Sequence, residues 1–328
     1  MDWKTYYRDE MLQPETKAYL EGMFAASHET EEADIFIQRG AILSFPHTAA
    51  CYIGPLQTRV VSALYRCRIK RVIALGVLHT STLPAPYDEL YRTAVDDGGS
   101  SSERLKAFAA LRGGFVPDCR VIKTVFGEIP CEGISQNQAV GVRTDGRRVL
   151  KNEFSLDSFF SLMSLYAKVH RMLPITVLPV YVGMTRDPMS GSFDVADDLA
   201  DTLRSIWDSE TAIVTTGDIM HYGTAYTPAE KMLNLEEEQL EPFFRRECER
   251  ILSLAVTKQD LDGAFRDSNE ILRSDQRYIL PAIAKYLGQN AESRILSFSL
   301  CDYSQILETA RPCIVASALV AYVPPPNG

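Results

Sequence analysis

Three short runs constrain this chain more than anything else in it: "RVIALGVL" (71–78), "ITVLPVYVG" (175–183) and "TAIVTTG" (211–217). Each lacks the polar alternation of a half-wet strand and is rich in branched residues, the pattern of a strand covered on both faces. Such strands need helices above and below, and the intervening sequence supplies them. Residues 14–27 read as an amphipathic helix opened by proline, and 55–67 and 155–172 carry helical spacing. Residues 193–207 form a helix between the second and third runs, and helices dominate 228–287. "AILSFP" (41–46), "SRILSFSL" (293–300) and "CIVASALVAYV" (313–323) are further strand candidates. The alternation predicts an α/β fold, an α/β/α sandwich on a largely parallel or mixed sheet. No internal repeat or low-complexity linker interrupts the 328 residues, so a single domain is expected. Its irregular parts would be an exposed loop at 97–103 ("DGGSSSE"), an Asp-Gly hairpin at 139–152 and a tail at 324–328.

In open α/β sheets, ligands bind beyond the carboxyl ends of the strands. Of the five histidines, three fall there: His47 after "AILSFP", His79 after "RVIALGVL" and His221 after "TAIVTTGDIM". One alone would read as a structural residue, but three in equivalent places predict a shared site. Neutral imidazole is the commonest ligand for first-row transition metals and also moves protons near neutral pH. Asp218, three residues before His221, is placed to orient a ring N–H or join the site, and a turn or cap role fits it equally. His28 and His170 lie in or beside helical stretches and carry no expected chemistry, while Cys51 reads as a buried structural thiol.

Other classes are set aside. A net charge of −9 opposes general nucleic-acid binding, which needs a cationic surface. The longest apolar runs are too short to span a bilayer, and the charged start "MDWKTYYRDE" does not resemble a leader. The seven cysteines form no CxxC, which suits a reducing compartment, so a cytoplasmic location is expected. GxSxG, Walker, HExxH and GxGxxG patterns are absent.

The quoted strand ends also carry a resemblance. "FPHTAACYIG" (45–54) resembles the "PHAGY-x-x-G" element of the Memo family, named from a mediator of cell motility. "ALGVLHTSTLP" is similar to that family's "LGPSHH", "LPVYVG" to its "IPVLVG", and "VTTGDIMHYG" to its "SSDFSHYG", in the same order along the chain. The Memo fold resembles the catalytic subunit of class III extradiol ring-cleaving dioxygenases, which use non-haem iron. The resemblance implies that His47 and His79 bind Fe(II) or copper. It makes His221 a third metal-facing or acid/base histidine, with Asp218 beside it. The chain also departs from the family. Thr80 follows His79, and "EFSLDSFFS" (153–161) places Phe154 and Phe159 where the family carries histidines. Ser274 or Asp275 stands where it carries a cysteine ligand. Asp275 in that role would complete a two-histidine, one-carboxylate set suited to Fe(II). Two functions follow as expectations. One is a metal-dependent, dioxygenase-like redox enzyme acting on a small molecule, aromatic ones included. The other is a non-catalytic module that binds a peptide or small anion and whose metal site has degenerated.

Overall fold

A computed structural model describes residues 2–26, 32–135, 140–145 and 148–326. His28 lies outside them. The strands are β1 (Ile42–Phe45), β2 (Arg71–Val77), β3 (Gly114–Pro117), β4 (Val121–Lys123), β5 (Glu128–Pro130), β6 (Val142–Asp145), β7 (Thr176–Val182), β8 (Thr211–Thr216), β9 (His221–Gly223), β10 (Glu292–Asp302) and β11 (Cys313–Val323). Nine of them form one mixed sheet in the order β10-β11-β1-β8-β2-β7-β3-β6, with β9 paired to β11; β4 and β5 form a separate ribbon. β1, β8, β2 and β7 run parallel at the centre, with antiparallel β11 beyond β1 and antiparallel β3 beyond β7.

Alternate residues of the central strands point to opposite faces, and each face is buried. Val72 and Ala74 of β2 join the layer that includes helices Ala50–Arg66 and Asp157–Val169. Ile73, Leu75 and Val77 join the layer that includes helices Asp194–Ile206 and Ile279–Leu287. This explains the unalternating sequence of these strands. The fold is the expected α/β/α sandwich on a mixed sheet.

Two local expectations are corrected. Loop 97–103 is shorter than expected, because a helix starts at Ser101: the Ser100 hydroxyl accepts the Glu103 N–H and caps it. The hairpin at 139–152 lies partly outside the described residues, which omit 139 and 146–147. Among the described ones, β6 pairs in parallel with β3, and 148–151 form turns. The Asp145 carboxylate accepts the N–H groups of Arg148, Val149 and Leu150, so these residues spend their donors on a side chain and not on a strand ladder.

Candidate metal centre

β1, β2 and β8 are parallel neighbours, so their carboxyl ends open on one edge of the sheet. Two residues beyond each end stand His47, His79 and Asp218. His221 opens β9, which lies across the start of β11 at the same edge, with His221 opposite Val315. Asp275 comes from a short turn (Asp275–Arg277) on the far side, tied in by its N–H bond to the Asp218 carbonyl.

Local chemistry fixes each group. Gly217 lets β8 turn toward the site: its φ is +151°, and a Cβ there would lie 2.7 Å from Cγ of Gln276. Asp218 then accepts the His47 N–H at 3.1 Å. Buried Gln276 donates to the Gly217 carbonyl and to Ser44 Oγ and accepts the Tyr322 hydroxyl, which anchors the turn bearing Asp275. Phe154 lies flat on the His79 ring, 4.7 Å between centroids at 9°.

The tautomers follow from the outer nitrogens. His79 Nδ1 is 3.0 Å from Oε1 of Glu153, which as a carboxylate only accepts. His221 Nδ1 is 2.9 Å from the Arg273 carbonyl, also only an acceptor. His47 Nδ1 is 3.3 Å from the Thr216 hydroxyl, whose own hydrogen goes to the Phe45 carbonyl. In neutral imidazoles all three Nδ1 atoms therefore carry the hydrogen, and all three Nε2 atoms present lone pairs inward.

Those lone pairs converge. Nε2 of His47 and His79 are 3.1 Å apart. Oδ2 of Asp275 lies 3.5, 3.6 and 3.8 Å from Nε2 of His47, His79 and His221. Oδ2 of Asp218 is 3.7 Å from His221 Nε2 and 4.0 Å from His47 Nε2. Metal–ligand bonds of about 2.0–2.2 Å would put neighbouring donors about 3.0–3.6 Å apart around one ion. The set His47–His79–Asp275 matches that spacing, and Asp218–His221–Asp275 forms a slightly wider one. The cluster can hold a metal ion.

The electrostatics describe the same demand for a cation. Burial, reinforced by charge on His79, pushes the His47 pKa down to about 3. Burial opposes charge on His79 as well, but Glu153 and Asp275 outweigh it and lift its pKa to about 10. Burial and the neighbouring Asp275 raise Asp218 well above the carboxylate range. Burial would raise Asp275 too, yet the three histidines hold it far below that range. A proton on His79 balances part of the negative charge that a metal ion would balance directly.

All five residues expected from the sequence thus meet in one cleft of about 360 Å³. Of the two site roles open to Asp218, orienting an outer ring nitrogen or joining the cluster, its geometry fits the second: it faces the inner nitrogen of His221 and tethers the His47 backbone. His170 caps a helix against Tyr166, and Phe159 stacks on Phe45 in the core. Cys51 is exposed, not buried as expected, because it occupies the open side of a helix's first turn. The sequence reading missed Glu153, Thr216, Gln276 and the Arg273 carbonyl. Only Glu153 left a signal, a carboxylate opening "EFSLD".

No family model matches the chain, and no curated protein matches it. Among the described residues, no helix is long and apolar enough to cross a membrane.

Proposed function

We propose that the chain is a metal-dependent redox enzyme of the extradiol-dioxygenase type, built like the Memo family and using Fe(II), with copper as the second candidate. One observation carries this reading: three imidazoles, each tethered through Nδ1, turn Nε2 toward the same carboxylate oxygen of Asp275. His47, His79 and Asp275 form the two-histidine, one-carboxylate set that suits non-haem Fe(II). Bound iron would supply Lewis acidity and reactivity toward O₂. Asp275 replaces a softer thiolate with a hard oxygen donor, which favours Fe(II) over Cu(I).

The protein's own residues would do the rest. Glu153 and Thr216 fix the two ligand rings, and Asp218 fixes the His47 backbone. His221 keeps its hydrogen on the Arg273 carbonyl, leaving Nε2 free to take a proton from a substrate hydroxyl at the cleft. The alternative, a metal-free module for an anion or peptide, has less support, because an anion in the cluster would meet Asp218 and Asp275.

The test is metal content by mass spectrometry after anaerobic reconstitution, with oxygen uptake on catechol. One iron per chain and catechol-dependent uptake are expected. Protein that takes up no stoichiometric transition metal would sink the reading.

A further inference from the structure

Two thiols sit at the base of the β4–β5 ribbon, outside the metal cluster. Cys119 precedes β4 and Cys131 follows β5, and their Sγ atoms are 3.1 Å apart. A disulfide bond is about 2.05 Å long, so bonding needs only about 1 Å of further approach. The backbone already holds the pair together: the Cys131 N–H donates to the Arg120 carbonyl at 2.8 Å, extending the ladder beyond Val121 and Pro130. The two strands are not equally secured. On the β5 side, Ile129 is fully buried and the Glu132 N–H donates to the Val177 carbonyl of β7 at 2.8 Å. On the β4 side, Val121 and Lys123 are exposed, and the strand's register pairs are all with β5. A two-stranded ribbon this short is marginal by itself.

Accessibility orders the two sulfurs. Cys119 is half-buried and open to a small reagent, whereas Cys131 is buried. Burial also pushes the Cys131 thiol up, which disfavours it as the first nucleophile. We propose that Cys119 and Cys131 form a reversible dithiol–disulfide site, oxidised by a low-molecular-weight disulfide, that clamps the exposed β4 onto the anchored β5. The Cys119 thiolate attacks one sulfur of the small disulfide, forming a mixed disulfide and releasing one small thiolate. Cys131, held beside it, gives up its proton, attacks Cys119 Sγ and expels the second small thiolate. The chain loses two hydrogens, and the small disulfide becomes two thiols. The closed loop of residues 119–131 carries Ile122, Lys123, Thr124 and Val125, which wall a second cavity of about 520 Å³ against helices Trp3–Leu12 and Asp157–Val169. Oxidation would therefore stiffen one wall of that cavity. It requires no metal and stands apart from the oxygenase reading.

Glutathione redox buffers test it on the whole chain. After equilibration with glutathione and its disulfide, acid quenching and alkylation, trypsin should yield peptide 113–120 joined to 124–143 through Cys119 and Cys131. Exposed Cys51 should carry only glutathione or the alkyl group. The equilibrium constant for the bond in the native chain should exceed that in the urea-unfolded chain by about tenfold, since folding brings the sulfurs together. Cys131→Ser should leave Cys119 as a mixed disulfide with glutathione, and Cys119→Ser should leave Cys131 unmodified. Hydrogen exchange of the 120–126 amides should slow by about tenfold on oxidation of the parent, and in neither serine variant. Cys119 and Cys131 both recovered alkylated where Cys51 carries glutathione, or equal constants in native and unfolded chain, would overturn the site. A bond without slower exchange would overturn the clamp. Glutathione on Cys131 in Cys119→Ser would overturn the order of attack. Should a serine variant fail to fold, judged by circular dichroism, the linked peptide and the amide exchange of the parent decide.

Discussion

His47 and His79, 32 positions apart in the chain, meet edge to face with their Nε2 atoms 3.1 Å apart. Each outer nitrogen is committed to an acceptor, so two lone pairs face each other at hydrogen-bond distance. That arrangement repels unless a proton or a metal ion lies between them. His47→Ala and His79→Ala should therefore each remove stoichiometric metal. Stability in the metal-free state should fall by only about 1–2 kcal/mol, as neither ring is a core-packing hydrophobe. Metal analysis alongside urea unfolding checks both. Full metal content in either variant would contradict the site.

Glu153 acts on the centre at one remove. It accepts the His79 ring and N–H as well as the N–H groups of Phe154 and Ser155. Glu153→Gln keeps the shape but weakens the hold on the ring, and such outer partners typically contribute about 10–100-fold in metal affinity. A chelator competition should show a loss in that range, while circular dichroism stays unchanged. A variant that binds metal as well as the parent would show that Phe154 stacking alone positions His79.

The tautomer assignment has its own test. Thr216 both donates to the Phe45 carbonyl and accepts from His47, so Thr216→Val removes an acceptor and nothing of similar size. Long-range nitrogen–proton NMR on the metal-loaded parent should show hydrogen on Nδ1 of all three site histidines. In Thr216→Val, metal affinity should fall about tenfold, by the same reasoning as for other outer partners. Hydrogen on Nε2 of His47 in the loaded parent would exclude it as a ligand.

The division between what the sequence disclosed and what it concealed has a physical basis. Strands buried on both faces need continuous apolar runs, so their ends are visible; His47, His79 and Asp218 sit at those ends, and His221 follows three residues after Asp218, at the start of β9. Asp275 has no such marker: it lies in a three-residue turn soon after a left-handed residue, and only the motif resemblance singled it out. Glu153 and Gln276 act across 74 and 59 positions, and the Arg273 contribution is a backbone carbonyl, which no residue type announces. The Asp-Gly turn lies partly outside the described residues, and the described flank is set by contacts that the spacing does not announce. Asp145 spends its carboxylate on three nearby N–H groups, and β6 finds its partner in β3.

Gly217→Ala probes the turn that brings Asp218 in. A methyl group there would press on the Gln276 side chain at 2.7 Å and on Val77 at 3.1 Å, in a backbone region alanine disfavours. Stability should drop by about 1–3 kcal/mol, as for other overpacked sites. Metal affinity should weaken with it, because the same displacement moves the Asp275 turn. Thermal unfolding with and without metal separates the two effects. A variant as stable as the parent would mean that the turn has room the structure does not show.

His221 differs from the other two histidines in position, which predicts a different loss. It lies on β9 and not at the end of a central strand, and its Nε2 is nearest to Asp218 and Asp275 rather than to the other rings. His47, His79 and Asp275 still form a complete set without it. His221→Ala should retain most of the bound iron but lose turnover by about 10²–10⁴-fold, the usual contribution of a placed proton-transfer group. The truncation opens space beside the Arg273 carbonyl, so added imidazole should bind there and restore part of the rate. Iron content and oxygen uptake, each measured with and without imidazole, distinguish the roles. If iron disappears together with turnover and imidazole restores both, His221 is a metal ligand and the proton must be moved by another group.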